Sequence, residues 1–209
     1  MNFRSLVVCL EWDFDSWAES YDEDVMRNDW IHTDYEEVLR LVAEKAKGVV
    51  VDIGCGTGNI LRFLKCERYI GVEPSRGMRV KFRGKHGFEP LDGHFLRIPL
   101  PNGTADAVIS TYAFHHVPDE EKEAALKEML RILKPGGRII IGDVMFESEE
   151  EKRRIGGEDG ITDEIEDEYF ATLEHLREIC EKFDLRYRFE RVNRYIWIAE
   201  LLLTPDRKG

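Results

Sequence analysis

Short apolar runs alternate with amphipathic stretches along most of this chain. Val49–Ile53 is a β-branched run, the mark of a strand buried on both faces. Tyr69–Val72, Ala107–Ser110 and Arg138–Gly142 read as further strands, and Phe88–Leu91 as a weak one. Helices are predicted between them. One covers Ile60–Lys65, just behind a glycine turn. A second opens with Pro74 at its first position, where a missing N–H costs nothing, and runs to about Arg83. A third follows Pro118, with Asp119, Glu120 and Glu121 complementing its positive end. Its Leu126, Met129, Leu130 and Leu133 fall at i, i+3, i+4 and i+7, one stripe facing a sheet. Lys134-Pro135-Gly136-Gly137 then turns the chain. Strands alternating with helices imply parallel pairing through right-handed crossovers.

The end of the chain breaks this rhythm. After a helix over Thr172–Phe183, the strand-like runs Arg186–Val192 and Tyr195–Leu203 are separated by Asn193-Arg194 alone. Two residues cannot hold a crossover, so the last pair is an antiparallel hairpin. Two regions stand outside the scheme. Residues 11–47 hold a Trp-rich segment and a helix with Tyr35, Val38, Leu39, Val42 and Ala46, expected to form a helical cap. Residues 144–170 form an acidic, glycine-broken insert that suits a lid, because long insertions at a strand's carboxyl edge are more often functional than idle.

A length of 209 residues suits one domain, and residues 1–209 are expected to form one. The 43% apolar content suffices for a core and excludes a wholly disordered chain. Acids outnumber bases 42 to 30, a net charge of −12. Such a surface repels phosphate backbones and anionic bilayers, so neither nucleic acid nor membrane is an expected partner. No apolar run approaches the roughly 18–20 residues that span a bilayer. Leu6–Leu10 is too short for a signal-peptide core and reads as an arm or strand. Cys9, Cys55, Cys66 and Cys180 form no CxxC pair and no zinc spacing, which suits reduced thiols in a cytoplasmic protein.

The sharpest chemical signal is Val51-Asp52-Ile53-Gly54-Cys55-Gly56-Thr57-Gly58-Asn59, where the first strand turns toward the first helix. Its glycines let a ligand approach the main chain, and its amides at 54–58 are expected to face the ligand from a helix N-terminus. Nineteen residues beyond Gly54 stands Glu73, placed to accept hydrogen bonds from both hydroxyls of a ribose. The spacing is G-x-G-x-G, not the G-x-G-x-x-G of pyrophosphate-binding folds.

Glycine turn, strand-end acid and terminal hairpin together resemble the class I methyltransferases that use S-adenosyl-L-methionine. Further matches are Phe14–Asp22, Ala113-Phe114-His115-His116-Val117 and Leu133–Arg138. Gly71-Val72-Glu73-Pro74-Ser75 and Tyr112–His116 look like the uncharacterised bacterial YrrT-type subgroup. The resemblance implies an α/β, Rossmann-like, three-layer α/β/α fold with a seven-stranded, mostly parallel sheet in the order 3-2-1-4-5-7-6, closed by the antiparallel hairpin. It implies S-adenosyl-L-methionine as cofactor, S-adenosyl-L-homocysteine as product and a small-molecule acceptor. Gly54, Cys55 and Gly56 would hold the methionine end, Asp52 would order the loop from beneath, Glu73 would hold the ribose, and Tyr21 would close over the methionine portion. Pro74, Gly93, Phe95 and Thr111 complete the implied lining. Met78 covers an adenine face or is simply core; Trp17 is packing or a site wall.

The family usually carries an Asp five residues before the proline that here is Pro99, to accept from the adenine amino group. His94 holds that position and Asp92 lies two residues upstream. A neutral imidazole nitrogen can accept a hydrogen bond, so His94 can substitute; Asp92 or the main chain around Phe95 are the alternatives. His115 and His116 follow the fourth strand at the ligand edge of such folds. One could be a base, although the family analogy favours a structural or cofactor-side role. Tyr112 and Tyr169 are other acceptor-side candidates, and Asp143 ends the fifth strand nearby. No metal site is expected, because adjacent His residues on a strand point apart and the acidic runs Glu149–Glu151 and Asp163–Glu168 lack a calcium-loop spacing and read as a solvated face. A nicotinamide-dependent oxidoreductase and a non-catalytic adenosyl-ligand module remain as other classes.

Overall fold

The computed structural model describes residues 13–27 and 29–203. The short apolar run Leu6–Leu10 lies outside the described residues. Two single-turn helices, α1 (Phe14–Trp17) and α2 (Tyr21–Asp24), lead to α3 (Tyr35–Lys45). β1 (Val49–Ile53) passes through a 3-10 turn (Asn59–Arg62) to β2 (Arg68–Val72) and α4 (Arg76–His86). β3 (Ala105–Thr111), a 3-10 turn (Phe114–His116), α5 (Asp119–Ile132) and β4 (Leu133–Phe146) follow. Then come α6 (Glu149–Asp159), α7 (Thr162–Glu166), β5 (Ala171–Thr172), α8 (Leu173–Lys182), β6 (Leu185–Arg191) and β7 (Ile196–Leu203).

These strands form one seven-stranded sheet in the order β2-β1-β3-β4-β7-β6, with β5 beside the end of β4. β1 pairs in parallel with β2 and β3, and β3 with β4. β7 runs antiparallel to both β4 and β6, as the two-residue hairpin requires. Alternate residues of each central strand enter opposite layers, because successive side chains on a strand point to opposite faces. Val51, Ile139 and Ile141 pack with Leu126, Met129 and Leu176 of α5 and α8. Val50 and Ile140 pack with Val38, Leu39 and Val42 of α3 and with Ile155 of α6. The three-layer class and the order of the main strands are those expected.

Local departures have local causes. The expected strand Phe88–Leu91 shrinks to a single parallel bridge between Leu91 and Val72, in the expected place beside β2. Pro90 has no N–H to extend the ladder, and Phe88 is exposed. The helix expected over Ile60–Lys65 is only the turn Asn59–Arg62. Residues 59–67 must return along a five-residue strand, a span of about 16 Å. A full helix over those nine residues would reach about 14 Å and leave nothing for turns. Pro74 is not the first helical residue: Ser75 caps α4, its side chain accepting from the Met78 amide. Leu133 starts β4 rather than ending the α5 stripe, and Lys134–Gly137 bulges out where the β3–β4 register shifts. β4 runs past Asp143 to Phe146, and the insert is ordered as α6 and α7.

The amino-terminal cap docks on α4. Asp15 accepts from the Ser75 hydroxyl (2.5 Å) and the Gly77 amide (2.8 Å). Asp22 accepts from Lys85 (2.8 Å), from Asn59 (3.1 Å) and from the Thr57 hydroxyl. A Cβ on Gly77 would stand 2.6 Å from the Asp15 carbonyl oxygen, so the close approach needs glycine. Gly77→Ala therefore sets two effects against each other. It favours helix α4 by about 0.5–1 kcal/mol while pushing the cap away. Hydrogen exchange should accelerate across residues 14–25 with little change in Tm; unchanged exchange there would show that the cap does not depend on this contact.

Candidate active site at the carboxyl edge of the sheet

Beyond β1 the chain turns through Gly54–Gly58, with Gly54 at φ 71° and Gly56 at φ 52°, conformations that favour glycine. The turn is tied to the tip of β2. The amides of Gly54 and Cys55 share the Val72 carbonyl (2.9 and 3.2 Å), and Gly58 donates to the Cys55 carbonyl (2.9 Å). Gly56 donates to Oε2 of Glu73 (2.9 Å), and the Ser75 amide donates to Oε1 (2.8 Å). The amides of Gly54, Cys55, Gly56 and Gly58 thus order the loop and Glu73, and no full helix stands behind them.

Burial pushes Glu73 up to about 7, against the pull of its two amide donors and Arg79. A carboxylate offers about four lone-pair positions. With one donor on each oxygen, Glu73 keeps acceptor capacity for two adjacent hydroxyls. Asp52 lies beneath the loop, 1% exposed. The Tyr69 hydroxyl donates to its Oδ2 (2.8 Å), while Oδ1 has no partner among the described residues. Burial and the nearby Glu73 raise it to about 7, opposed by Tyr69. Cys55 is buried against Gly71, and burial pushes its thiol up.

The other expected lining residues fall around this turn. A Cβ on Gly54 would lie 2.5 Å from Cβ of Ala113 and 3.8 Å from the Phe95 ring. Phe95 meets Phe114 edge-on at 5.6 Å. Gly93 is wedged against Val72 and Pro99. Tyr21 lies over Gly56, 3.9 Å from its Cβ position. Trp17 stands edge-on to Tyr21 at 4.8 Å, and Phe14 is 6.0 Å from Trp17. Trp17 thus packs between these two rings, and its indole N–H donates to Asp24 (2.7 Å). Met78 is buried in α4 yet belongs to neither main apolar cluster. Pro74 sits between Glu73 and the α4 cap, and its carbonyl accepts from Arg79 (2.8 Å). Asp92 is exposed and 3.4 Å from Arg79. His94 is half-buried with Nδ1 3.4 Å from the Leu96 amide, and burial lowers its pKa.

Thr111 ends β3, and Tyr112 follows at φ 52°, a backbone conformation rare outside glycine. The Tyr112 ring packs on Tyr35 (5.1 Å) and His32 (5.7 Å). Its hydroxyl is buried without a hydrogen-bond partner among the described residues, and burial raises its pKa. His115 and His116 lie on a 3-10 turn, not a strand, so their rings do not diverge; the centroids are 4.0 Å apart. The His115 Nδ1 is 2.7 Å from Asp143, which also accepts from the His115 amide (3.1 Å). Burial pulls His115 down, but Asp143 outweighs it and the net shift is upward. The His116 Nδ1 is 3.2 Å from Glu168, and burial with the neighbouring His115 lowers its pKa.

Sequence reasoning missed Glu168 and Lys122. Glu168 is not on a solvated face: its side chain is 10% exposed. The insert brings it back to the His pair, an encounter that local sequence does not signal. Lys122 is fully buried on α5. It donates to the carbonyls of Val117 and Tyr169 and pairs with Asp119 at 3.0 Å. That clamp fixes the insert's return, and the Tyr169 amide donates to the His115 carbonyl (3.1 Å). The Tyr169 side chain itself is exposed.

A doubly wound sheet, a glycine turn and an acid at the tip of β2 define a Rossmann-like methyltransferase. Comparison with known proteins agrees. Residues 51–141 match the methyltransferase domain family. An uncharacterized methyltransferase of Geobacillus kaustophilus is 37% identical over 201 residues, 90% of this chain and 94% of the relative. One from Oceanobacillus iheyensis is 35% identical over 198 residues, 88% and 93% of the two chains. A solved Thermotoga maritima structure, described as a SAM-dependent methyltransferase and possible histamine N-methyltransferase, superposes with a TM-score of 0.66. It is 24% identical, covering 91% of this chain and 97% of that one. The structure of a DhpI–SAM–HEP complex gives 0.69 at 22% identity, covering 90% and 93%. This chain belongs to the class I S-adenosylmethionine-dependent methyltransferases, in a bacterial group of uncharacterized methyltransferases. Among the described residues no helix is long and apolar enough to cross a membrane.

Asp52 gives the ligand-free site a pH signature. Its folded pKa of about 7 exceeds the ordinary 3.8, so the folded state holds a proton that the unfolded chain releases. Stability then falls as pH rises from about 4 to 7 and levels off above. Asp52→Asn removes the charge. It should raise Tm relative to the parent at pH 8 and lose that advantage near pH 4, as read by thermal melts without ligand. An equal shift at both pH values would contradict the assignment.

Proposed function

We propose that this chain transfers a methyl group from S-adenosyl-L-methionine to a small-molecule acceptor by in-line displacement, releasing S-adenosyl-L-homocysteine. The observation that carries this reading is Glu73, buried and held by one backbone donor per oxygen beside a turn of positive-φ glycines. Its spare acceptor capacity suits a ribose diol. Asp52 and the loop fix its setting, Tyr21 closes over Gly56, and Phe95 with Met78 flank the nucleoside side. The uncommitted Oδ1 of Asp52 and the glycine cradle under Tyr21 fit an adenosyl–amino-acid ligand. When bound, the sulfonium supplies the activated methyl; the chain supplies alignment and excludes water. The cap on α4 and the insert on the His turn flank the site from two sides, which supports reading the chain as one domain. An acidic chain of net charge −12 fits a cytoplasmic enzyme acting on a small molecule better than one acting on nucleic acid.

Titration calorimetry with S-adenosyl-L-homocysteine tests the reading. The parent protein should bind it, and Glu73→Ala should weaken binding about 30- to 100-fold, the loss of charge-assisted bonds to two hydroxyls. Unchanged affinity in that variant, or preference for a nicotinamide dinucleotide, would refute it. His94, half-buried in the turn before Pro99, is assigned to the adenine amino group, its acceptor nitrogen giving up the long 3.4 Å contact with the Leu96 amide to take that donor. His94→Ala should raise the Kd about tenfold, a single hydrogen bond's worth, and Asp92→Ala should leave it within about twofold. The reverse pattern would transfer the role to Asp92, and no effect in either would leave it to the main chain at Phe95.

A further inference from the structure

Two imidazoles and two carboxylates converge where the insert meets the edge of the sheet. His115 and His116 come from the turn after β3, Asp143 from β4 and Glu168 from the segment after α7. One donor atom from each of His115, His116 and Glu168 lies within 4.8 Å of the other two. The expectation of no metal site rested on rings that diverge along a strand; on the 3-10 turn they stand side by side. The side chains of His115 and Glu168 are 7% and 10% exposed, and that of Asp143 is 1% exposed.

We propose that His115, His116 and Glu168 bind a divalent transition cation of the zinc(II) class, which ties the insert to the His turn. Two imidazoles and a carboxylate form a donor set that suits such a cation better than magnesium or calcium, and three protein ligands leave a further position for water. This binding is independent of the methyltransferase reading. The His116 Nδ1 stands 3.2 Å from Oε2 of Glu168. A charge-assisted N–H···O bond closes to about 2.7–2.9 Å. Neighbouring ligands at about 2.1 Å from a tetrahedral centre stand about 3.3 Å apart. The observed spacing matches the second case. Asp143 supplies the outer support. Ionised, it can only accept, so its 2.7 Å contact places the hydrogen of a neutral His115 on Nδ1 and the lone pair on Nε2. A carboxylate behind an imidazole in this way orients ligating histidines on their metal. The charge also fits. Lys122 pairs with Asp119 (3.0 Å) and Lys152 with Glu149 (3.8 Å). Asp143 and Glu168 thus leave two negative charges beside the neutral rings, and a divalent cation offsets them. Glu168 also lines a cavity of about 380 Å³ with Asp119, Thr162 and Tyr169, space through which a hydrated ion can reach it. On binding, the cation replaces the hydrogen between His116 and Glu168, and that proton leaves to solvent. The donors close by on the order of 1 Å to reach bonding distance.

Tag-free full-length protein, stripped with a chelator, is titrated with zinc(II) by calorimetry, and bound metal is counted by elemental analysis. The unaltered protein should take up one equivalent per chain. Changes behind the ligands alone weaken such sites about 10- to 100-fold, so Glu168→Gln and His116→Gln, each deleting a ligand, should weaken uptake by more than about 100-fold. Cobalt(II) in the unaltered protein gives a reading that needs no variant: its visible absorption should show a four- or five-coordinate nitrogen–oxygen site without thiolate charge transfer. Hydrogen exchange from α6 to β5 should slow when zinc(II) is added to the unaltered protein. No stoichiometric uptake by that protein, thiolate ligation, or full uptake in both variants overturns the proposal. A preference for magnesium or calcium at equal concentration overturns it as well.

Discussion

The carboxylate of Glu73 takes one hydrogen from the Gly56 amide and one from the Ser75 amide, and in doing so joins the end of β1 to the start of α4. A buried acid is costly unless each oxygen is met by a donor. Here the main chain meets both, so the charge and the loop geometry depend on each other. Arg79 extends the knot by donating to the carbonyls of Glu73 and Pro74. The glycine turn is thus held by the residue that it helps to bury. Any ligand that engages Glu73 inherits a loop already in position, which reduces the ordering that binding would otherwise require.

Around this knot, segments distant in sequence supply the walls. The cap reaches α4 through Asp15 and the turn through Asp22. The insert reaches the His turn through Glu168 and the Tyr169 backbone. Lys122 welds the second junction. Its ammonium sits among carbonyl oxygens and over the Phe114 ring at 5.4 Å, a setting in which a buried cation is satisfied. The parallel part of the sheet gives a rigid edge, and these two attachments flank it.

Much of this was legible in the sequence because it follows from period and spacing. The runs at Val49–Ile53 and Arg138–Gly142, and the two-residue link before Tyr195, fix the sheet class and its antiparallel end. G-x-G-x-G and Glu73 mark the proposed cofactor end for the same reason: both lie at strand tips. What escaped depended on tertiary geometry. The length of the β1–β2 return, not the composition of Ile60–Lys65, decides that a helix does not form there. Glu168 looks solvent-facing among its acidic neighbours until the insert folds back. The His pair looked divergent only on the assumption that it continued a strand. Lys122, in a helix that opens with three acids, gave no hint that it would be wholly buried.

Charge is unevenly shared between the cap and the helix that receives it. α4 carries Arg76, Arg79, Lys81, Arg83 and Lys85 in a chain of net charge −12, and the cap presents Asp15, Glu19 and Asp22 to it. Lys81 pairs with Glu19 at 3.1 Å and Lys85 with Asp22 at 2.8 Å, both partly open to solvent. Pairs of that kind weaken as mobile ions accumulate, whereas the β-branched interior does not respond. Ionic strength is therefore a dial on the attachments and not on the frame: brine would loosen the cap from α4 while the sheet beneath kept its shape.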